Sequence, residues 1–105
     1  MDGQIIHVVL FNWTATAPPD VEDRFDRALR SVRETISGVL DVSHGPSVST
    51  EGLEQGHGYA LYVRFADAAA RDAYLPHPSH TPVADLITAH ADNLLVFDLL
   101  AGTTA

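Results

Sequence analysis

The sequence of 105 residues contains no cysteine. It therefore has no disulfide framework, no thiolate nucleophile and no cysteine-type zinc site, which is compatible with a reducing compartment. Basic residues are also scarce, because six Lys and Arg stand against fourteen Asp and Glu and give a net charge of −8. A phosphate backbone or an anionic membrane surface would repel such a chain. We therefore expect neither nucleic acid nor a membrane as a partner.

Other absences narrow the class of protein further. No apolar run approaches the roughly 20 residues of a membrane-spanning helix, and the first residues lack the basic segment and cleavage site of a signal peptide. The glycines show neither the G-x-G-x-x-G spacing nor the Walker lysine of a phosphate-binding loop. We expect a cytoplasmic protein, and we interpret the Gly-rich segment 51–58 as a mobile loop that could form a lid over a pocket.

Hydrophobic periodicity predicts the secondary structure. Alternating apolar residues, many of them β-branched or aromatic, predict strands at 5–13, 39–43, 59–65 and 94–100. Apolar residues at helical spacing predict an amphipathic helix over 20–38 and a second helical region in two pieces, 68–74 and 81–89. The order strand, helix, strand, strand, helix, strand is that of an α+β, ferredoxin-like βαββαβ domain with a four-stranded antiparallel sheet.

An apolar sheet face that the chain itself does not cover predicts the oligomeric state. One domain over residues 1–105 is expected from the length, and its helices cover one face of the sheet. The other face carries apolar side chains and has nothing of its own to cover it. Two copies that pack sheet to sheet would bury this face, so we expect a homodimer.

The segment Tyr74–His80 concentrates proton-handling side chains in a short stretch of backbone. Its two prolines fix φ near −65° and restrict the preceding residues, Leu75 and His77, which we expect to lie outside helical geometry. The segment would then be a rigid elbow between two helices. A phenol and imidazoles held close together can donate, accept and relay protons near neutral pH, as acid–base chemistry on a carbonyl group requires. The alternative is that the elbow only ends one helix and begins the next.

His7 lies in an otherwise apolar row of the first predicted strand. Period-two alternation places it on one face with Ile5, Val9, Phe11 and Trp13. Such a histidine is either a hydrogen-bonded core residue or a functional group in a pocket, and the pattern alone leaves both interpretations open.

Several segments carry a family resemblance. They are His7–Phe11 in the first strand, Gly38–Val39 and Gly45 around the second, Glu54 and Gly56 before the third, the elbow Tyr74–His80, and Val96–Asp98 in the last strand. From about Ile6 to Asp98 the chain resembles the stress-responsive A/B barrel family of dimeric α+β barrels. The pattern Tyr-x-x-His-Pro-x-His in the elbow is the most specific part. The resemblance implies a ferredoxin-like domain that forms a dimeric α+β barrel.

The resemblance also implies a site, because the family includes a cofactor-free polyketide cyclase that performs an intramolecular aldol condensation. His80 and Tyr74 fall on the catalytic histidine and tyrosine of that enzyme, and His7 on a further pocket histidine. His80 would remove a proton alpha to a carbonyl, Tyr74 would hydrogen-bond the oxyanion, and His7 would orient the substrate or the tyrosine. His77 would point outward or cap a helix. Substrate contact is implied for Val9, Phe11, Phe25, Leu29, Tyr59, Leu61, Val83 and Ile87.

The sequence departs from the cyclase at Tyr59, where that enzyme has a second pocket histidine, and at Leu29, Val83 and Ala91, where it has bulkier residues. A different substrate is therefore expected. The implied activity is that of a lyase or cyclase acting on a small apolar carbonyl compound, without a cofactor.

Three alternatives to this activity are compatible with the fold. One is a stress-responsive structural protein that acts as a stable homo-oligomer without catalysis. Another is a haem-degrading or quinol-forming monooxygenase of the wider barrel group, for which the sequence shows no specific motif. The third is a metal enzyme, since His77 and His80 have the spacing i, i+3. Pro78 between them breaks the helical face that would align two ligands, so no metal site is expected.

Overall fold

The computed structural model describes residues 3–102, so residues 1–2 and 103–105 of the predicted domain lie outside it. In chain order the elements are strand β1 (Ile5–Trp13), helix α1 (Val21–Thr35), strand β2 (Val39–Pro46), strand β3 (Tyr59–Phe65), helix α2 (Ala68–Tyr74), a 3₁₀ turn (Pro78–His80), helix α3 (Thr81–His90) and strand β4 (Ala91–Leu100). The strands form one antiparallel sheet in the order β2-β3-β1-β4. The predicted ferredoxin-like α+β fold is confirmed. None of the helices in this range is long and apolar enough to cross a bilayer.

One face of the sheet packs against the helices and forms the core. The buried positions alternate along β1 and β3 and recur at helical spacing along α1: Ile5, His7, Val9 and Phe11; Tyr59, Leu61, Val63 and Phe65; Val21, Phe25, Leu29 and Val32. Burial of each large apolar side chain contributes about 1.5–3 kcal/mol, which favours this arrangement over any register that exposes the row. His7 is the polar member of the core, with 6% of its surface exposed.

The opposite face of the sheet is uncovered in the single chain. Its central part consists of three cross-strand rows on β3, β1 and β4: Arg64, Ile6 and Leu99; Tyr62, Val8 and Phe97; Ala60, Leu10 and Leu95. We call these nine residues the open face. Eight of them are uncharged and Arg64 carries the only charge. The open face is the surface that the sequence predicts to be covered by a second copy.

Gly38 makes the connection between α1 and β2. Its φ of +91° lies in the left-handed region, and its carbonyl accepts a 2.8 Å hydrogen bond from the amide of Ala66. A Cβ at this position would lie 2.6 Å from the Cβ of Ala70. Both the backbone conformation and the close approach of α2 therefore require glycine.

The elbow differs from its prediction at one residue. His77 is extended, with φ −68° and ψ 137°, as expected before a proline. Leu75 instead keeps helical dihedrals of φ −60° and ψ −45°, although a proline follows it. A 3.1 Å hydrogen bond from the amide of His77 to the carbonyl of Tyr74 closes a turn around these residues. That turn stabilises a conformation which the isolated dipeptide would disfavour.

Candidate active site

A cavity of about 360 Å³ lies between α2, α3 and the half of the sheet formed by β1 and β4. This volume falls in the lower part of the range of small-molecule pockets, about 300–1,000 Å³. Its apolar wall consists of Val9, Leu75, Ala84, Ile87, Leu94 and Val96. The polar groups on it are His7, Arg71, Tyr74, His80, Thr88 and Asp98. The cavity thus combines a largely apolar lining with a few convergent polar groups.

A chain of polar side-chain contacts connects His7 to helix α2. The antiparallel register of β1 and β4 places His7 opposite Asp98, and the Nδ1 atom of the histidine lies 2.7 Å from Oδ1 of the carboxylate. The Nη1 atom of Arg71 donates to Oδ2 of the same carboxylate at 3.2 Å. Arg71 also donates to Asp72 at 3.1 Å, and these two carboxylates raise the pKa of its guanidinium, Asp72 more than Asp98.

The carboxylate fixes the tautomer of His7. Because a carboxylate accepts the hydrogen bond, Nδ1 carries a proton, and in the neutral imidazole Nε2 is left with a lone pair that can accept a hydrogen bond. The His7 side chain is 8% exposed and that of Asp98 is 29% exposed. The imidazole is thus held in one orientation at the cavity wall, and its outer partner lies on the edge strand.

Tyr74 is buried to 1% exposure, and its hydroxyl has no hydrogen-bond partner among residues 3–102. The ring lies edge-on to His80, with centroids 4.4 Å apart, and to His7, with centroids 5.8 Å apart. Burial raises the pKa of the Tyr74 phenol, so the group is neutral and can donate a hydrogen bond. A buried hydroxyl without a partner is uncommon in native proteins and calls for an explanation.

His80 has the electrostatic character of a base. Burial lowers its pKa, and the nearby His7 lowers it slightly further, while the backbone of Leu75 acts in the opposite direction. The lowered pKa keeps the imidazole neutral at pH 7 and able to accept a proton. His80, Tyr74 and His7 therefore meet at one cavity, as expected from the resemblance.

The rest of the elbow is structural. The Nδ1 atom of His77 accepts a 3.1 Å hydrogen bond from the amide of Ser79 and caps the 3₁₀ turn, and His77 does not line the cavity. The hydroxyls of Ser79 and of Thr35, at the end of α1, are hydrogen-bonded at 2.7 Å. These bonds fix the backbone that carries His80.

Six of the residues implied for substrate contact do not line this cavity. Val9 and Ile87 do, whereas Phe11, Phe25, Leu29, Tyr59, Leu61 and Val83 are buried in the core. Alternation correctly places Phe11 on the face of His7, but the two residues are four positions apart along the strand, at about 3.3 Å per position. At the Phe11 end of the sheet α1 covers the face with tightly packed aromatic rings. Periodicity identifies the face of a strand and not the element that covers each part of it.

Tyr59 belongs to a second polar cluster. Its hydroxyl lies 2.7 Å from Nδ1 of His44, whose Nε2 lies 2.8 Å from a carboxylate oxygen of Asp26. Arg30 contacts the other oxygen of Asp26 at 2.8 Å. The His44 bond is the main cause that lowers the pKa of Asp26. This cluster joins α1 to β2 and β3, away from the first cavity, and every one of its polar side chains is partnered.

The Gly-rich loop does not cover the site. Leu53, Glu54 and His57 line a different cavity, of about 260 Å³, together with Leu10 and Ala60 of the open face. The hypothesis of a lid over the His80 pocket is therefore wrong for this loop.

Sequence reasoning also missed Arg71 and Asp98. The pairing of β1 with β4 in antiparallel register was the signal that could have placed Asp98 beside His7. Among residues 3–102 no three His, Cys, Asp or Glu side chains converge in a group that could hold a metal ion.

Comparison with known proteins agrees with this fold. Residues 5–101 match the stress-responsive A/B barrel domain. The chain belongs to this family.

One curated protein and two solved structures are among those similar to this chain. Olivetolic acid cyclase of Cannabis sativa is 22% identical over 92 residues, which cover 88% of this chain and 91% of that protein. A dimeric ferredoxin-like protein from Jannaschia sp. CCS1 is 27% identical, with a TM-score of 0.76, 92% of this chain and 98% of that chain covered. The hydroxynitrile lyase of Passiflora edulis shares the fold at 12% identity, with a TM-score of 0.85 over 100% of this chain and 99% of that chain.

Proposed function

We propose that this A/B barrel protein is a cofactor-independent lyase or cyclase that acts on a small, apolar carbonyl compound by acid–base chemistry. The observation that carries the proposal is the buried hydroxyl of Tyr74, which has no partner in the described part of the chain and whose ring lies beside His80 at an apolar cavity. A buried hydroxyl without a partner costs about 1–3 kcal/mol. A ligand oxygen that accepts its hydrogen bond would offset this cost and would be oriented by it.

The proposed reaction begins at His80. Its neutral imidazole takes a proton from the carbon alpha to the carbonyl, and the electron pair moves onto the carbonyl oxygen. The Tyr74 hydroxyl donates a hydrogen bond to that developing oxyanion. In a cyclase the enolate carbon then attacks a second carbonyl carbon, and the imidazolium of His80 returns the proton to the new alkoxide. A lyase runs the same steps in reverse, and neither direction needs an oxidant or a reductant.

His7 would hold the substrate in this scheme. Asp98 fixes the proton on Nδ1, so Nε2 can accept a hydrogen bond from an enol or hydroxyl group of the substrate. The apolar wall would pack against the carbon skeleton, and the volume of about 360 Å³ limits the ligand to a small molecule. The names of two similar proteins, a cyclase and a hydroxynitrile lyase, support this class of reaction.

The test is to measure removal of the alpha proton directly. Uncharged aryl alkyl ketones in D₂O lose their alpha-proton signal in ¹H NMR as a base exchanges it for deuterium. We expect the wild-type protein to accelerate this exchange for ketones that fit the cavity, and the His80→Ala variant to lose the acceleration. His90→Ala is the matched control, because His90 ends α3 outside the cavity. Exchange that survives in the His80→Ala variant would show that His80 is not the base.

The second candidate function, a non-catalytic homo-oligomer, is favoured by the open face alone. It gives the unpartnered hydroxyl of Tyr74 no role. Under that alternative the ketone exchange would not be accelerated, and replacement of Tyr74 or His80 would leave the protein's behaviour unchanged apart from its stability.

A further inference from the structure

Strand β4 connects the candidate site to the open face. Its residues alternate between the two, because Leu94, Val96 and Asp98 line the cavity while Leu95, Phe97 and Leu99 belong to the open face. The strand lies at the edge of the sheet and pairs only with β1. It therefore carries one wall of the site on one side and a third of the uncovered apolar surface on the other.

In the single chain β4 is poorly buried. Every residue from Asp92 to Leu100 is exposed, and Leu95, Phe97 and Leu99 keep 43%, 59% and 47% of their surface in contact with solvent. Backbone hydrogen bonds to β1 hold the strand, but little apolar packing adds to them. Segments with few buried contacts open at a low free-energy cost. Because the strand carries Asp98, such opening removes the partner that orients His7.

A second copy of the chain is the occupant that fits the open face. A mostly aliphatic and aromatic surface with a single positive charge offers no ladder of polar groups for a hydrophilic partner, and it is continuous across three strands. Two copies that each carry a charge of −8 repel one another at most surfaces, whereas this face lacks acidic residues. The related Jannaschia protein is described as dimeric.

We propose that the binding of a second copy to the open face fixes β4 and thereby stabilises the active site, so that the contact between Asp98 and His7 is held in the dimer and opens more often in the protomer. Phe97 and Asp98 are the coupling point, since they are neighbours on one strand and face opposite sides. A partner that buries Phe97 stabilises the strand position in which Asp98 meets His7 and Arg71. This inference rests on the proposed function in one respect, because that function gives the site at His7 its role.

The test measures the oligomeric state and the opening of β4 separately from any catalytic activity. Phe97→Asp places a charge in the middle row of the open face, Phe97→Leu keeps that position apolar, and Ser31→Asp adds the same charge to the exposed surface of α1. Sedimentation velocity reports the oligomeric state. Amide hydrogen exchange compares the protection of the amides in β4 with that of the amides in β3. Long-range ¹H–¹⁵N NMR reports the Nδ1 proton of His7.

We expect Phe97→Asp to be monomeric and to lose at least about tenfold of its amide protection in β4 relative to β3, because local opening controls exchange there. The Nδ1 proton signal of His7 should broaden or disappear. Phe97→Leu and Ser31→Asp should match the wild type. A monomer that keeps both the β4 protection and the His7 signal would overturn the inference, as would a Phe97→Asp variant that remains a dimer.

A second measurement covers the case in which Phe97→Asp does not fold. The wild-type protein is diluted through its monomer–dimer equilibrium, and exchange in β4 and β3 is followed by mass spectrometry. Exchange in β4 should rise with the monomer fraction, and exchange that is independent of dilution while the dimer dissociates would overturn the inference. Ketone exchange is measured separately. If β4 loosens in the monomer but no ketone is turned over by the dimer, the proposed function fails while the coupling of dimer to site remains.

Discussion

Replacement of Tyr74 by phenylalanine should stabilise the protein while it removes the proposed activity. The substitution keeps the ring, whose centroid lies 5.2 Å from that of Phe65 and 4.4 Å from that of His80. It deletes a hydroxyl that is buried and has no partner within the described residues. The desolvation penalty of such a group is about 1–3 kcal/mol, so we expect the free energy of unfolding to rise by about 1 kcal/mol or more. For a domain of this size that corresponds to an increase in Tm of roughly 4–8 °C per kcal/mol.

Tyr59→Phe is the matched control, because the same atom is deleted from another buried tyrosine. The Tyr59 hydroxyl lies 2.7 Å from Nδ1 of His44, so its loss leaves a largely buried nitrogen without a partner. We expect this variant to lose about 1–2 kcal/mol of stability. The two tyrosine-to-phenylalanine changes should thus alter stability with opposite signs.

Urea denaturation followed by circular dichroism measures both variants, at one fixed protomer concentration so that any contribution of dimerisation to stability is the same in each. The ketone-exchange rate should fall by about 10²–10³ in Tyr74→Phe, the usual effect of losing one oxyanion donor. It should change little in Tyr59→Phe. If Tyr74→Phe loses as much stability as Tyr59→Phe, the Tyr74 hydroxyl is partnered in the native state, and it is not held free for a ligand.

Three further predictions follow from the same structure. Burial lowers the pKa of His80, so its neutral, active form persists below the ordinary value of 6.5. The acidic limb of the kcat/KM profile should therefore have its midpoint below pH 6.5. A midpoint above that pH would contradict the role of His80 as the base. The lowered pKa of Asp26 contributes stability that is present above its unfolded pKa, about 3.8, and is lost as the pH falls through the folded value. His44→Gln should therefore destabilise the protein to urea at pH 7 by more than at pH 3, and an equal deficit at both would refute this linkage. Gly38→Ala should lower the free energy of unfolding by about 1–2 kcal/mol or more, because φ is positive there and the new Cβ would lie 2.6 Å from Ala70. A thermal melt unchanged from the wild type would show that the turn can relax.

The fold could be predicted because its signals are local. The alternating rows of β1 and β3 and the helical stripe of α1 are set by side-chain period, and each period assigns one face to the core. Even the exposure of the opposite face followed from the same alternation. The precise ends of the elements were less predictable. Strand β2 continues to Pro46, beyond the predicted end at Ser43, because its outer half pairs with β3 up to Tyr59.

Only part of the site could be predicted, because its geometry depends on the register between β1 and β4 and on which helix covers each end of the sheet. The elbow showed from sequence that Tyr74 and His80 lie close together, since seven residues and two prolines leave little freedom. That Asp98 orients His7 depends on how β1 and β4 pair, which alternation does not determine. That Phe11 and Phe25 fill the core, and leave the cavity to Leu75 and Ile87, depends on which helix covers each end of the sheet.

The two polar clusters of the fold show how structural and functional groups differ in this protein. In the cluster of Asp26, His44 and Tyr59, each polar side chain has a partner, and the result is a fixed contact between α1 and the sheet. At the cavity, His7 is equally well anchored, yet the hydroxyl of the neighbouring Tyr74 finds no partner among residues 3–102. A fold that needed only rigidity would be more stable with phenylalanine at position 74. The opposite signs expected for the two tyrosine variants measure this difference, and they test the proposal that the Tyr74 hydroxyl is kept for a ligand.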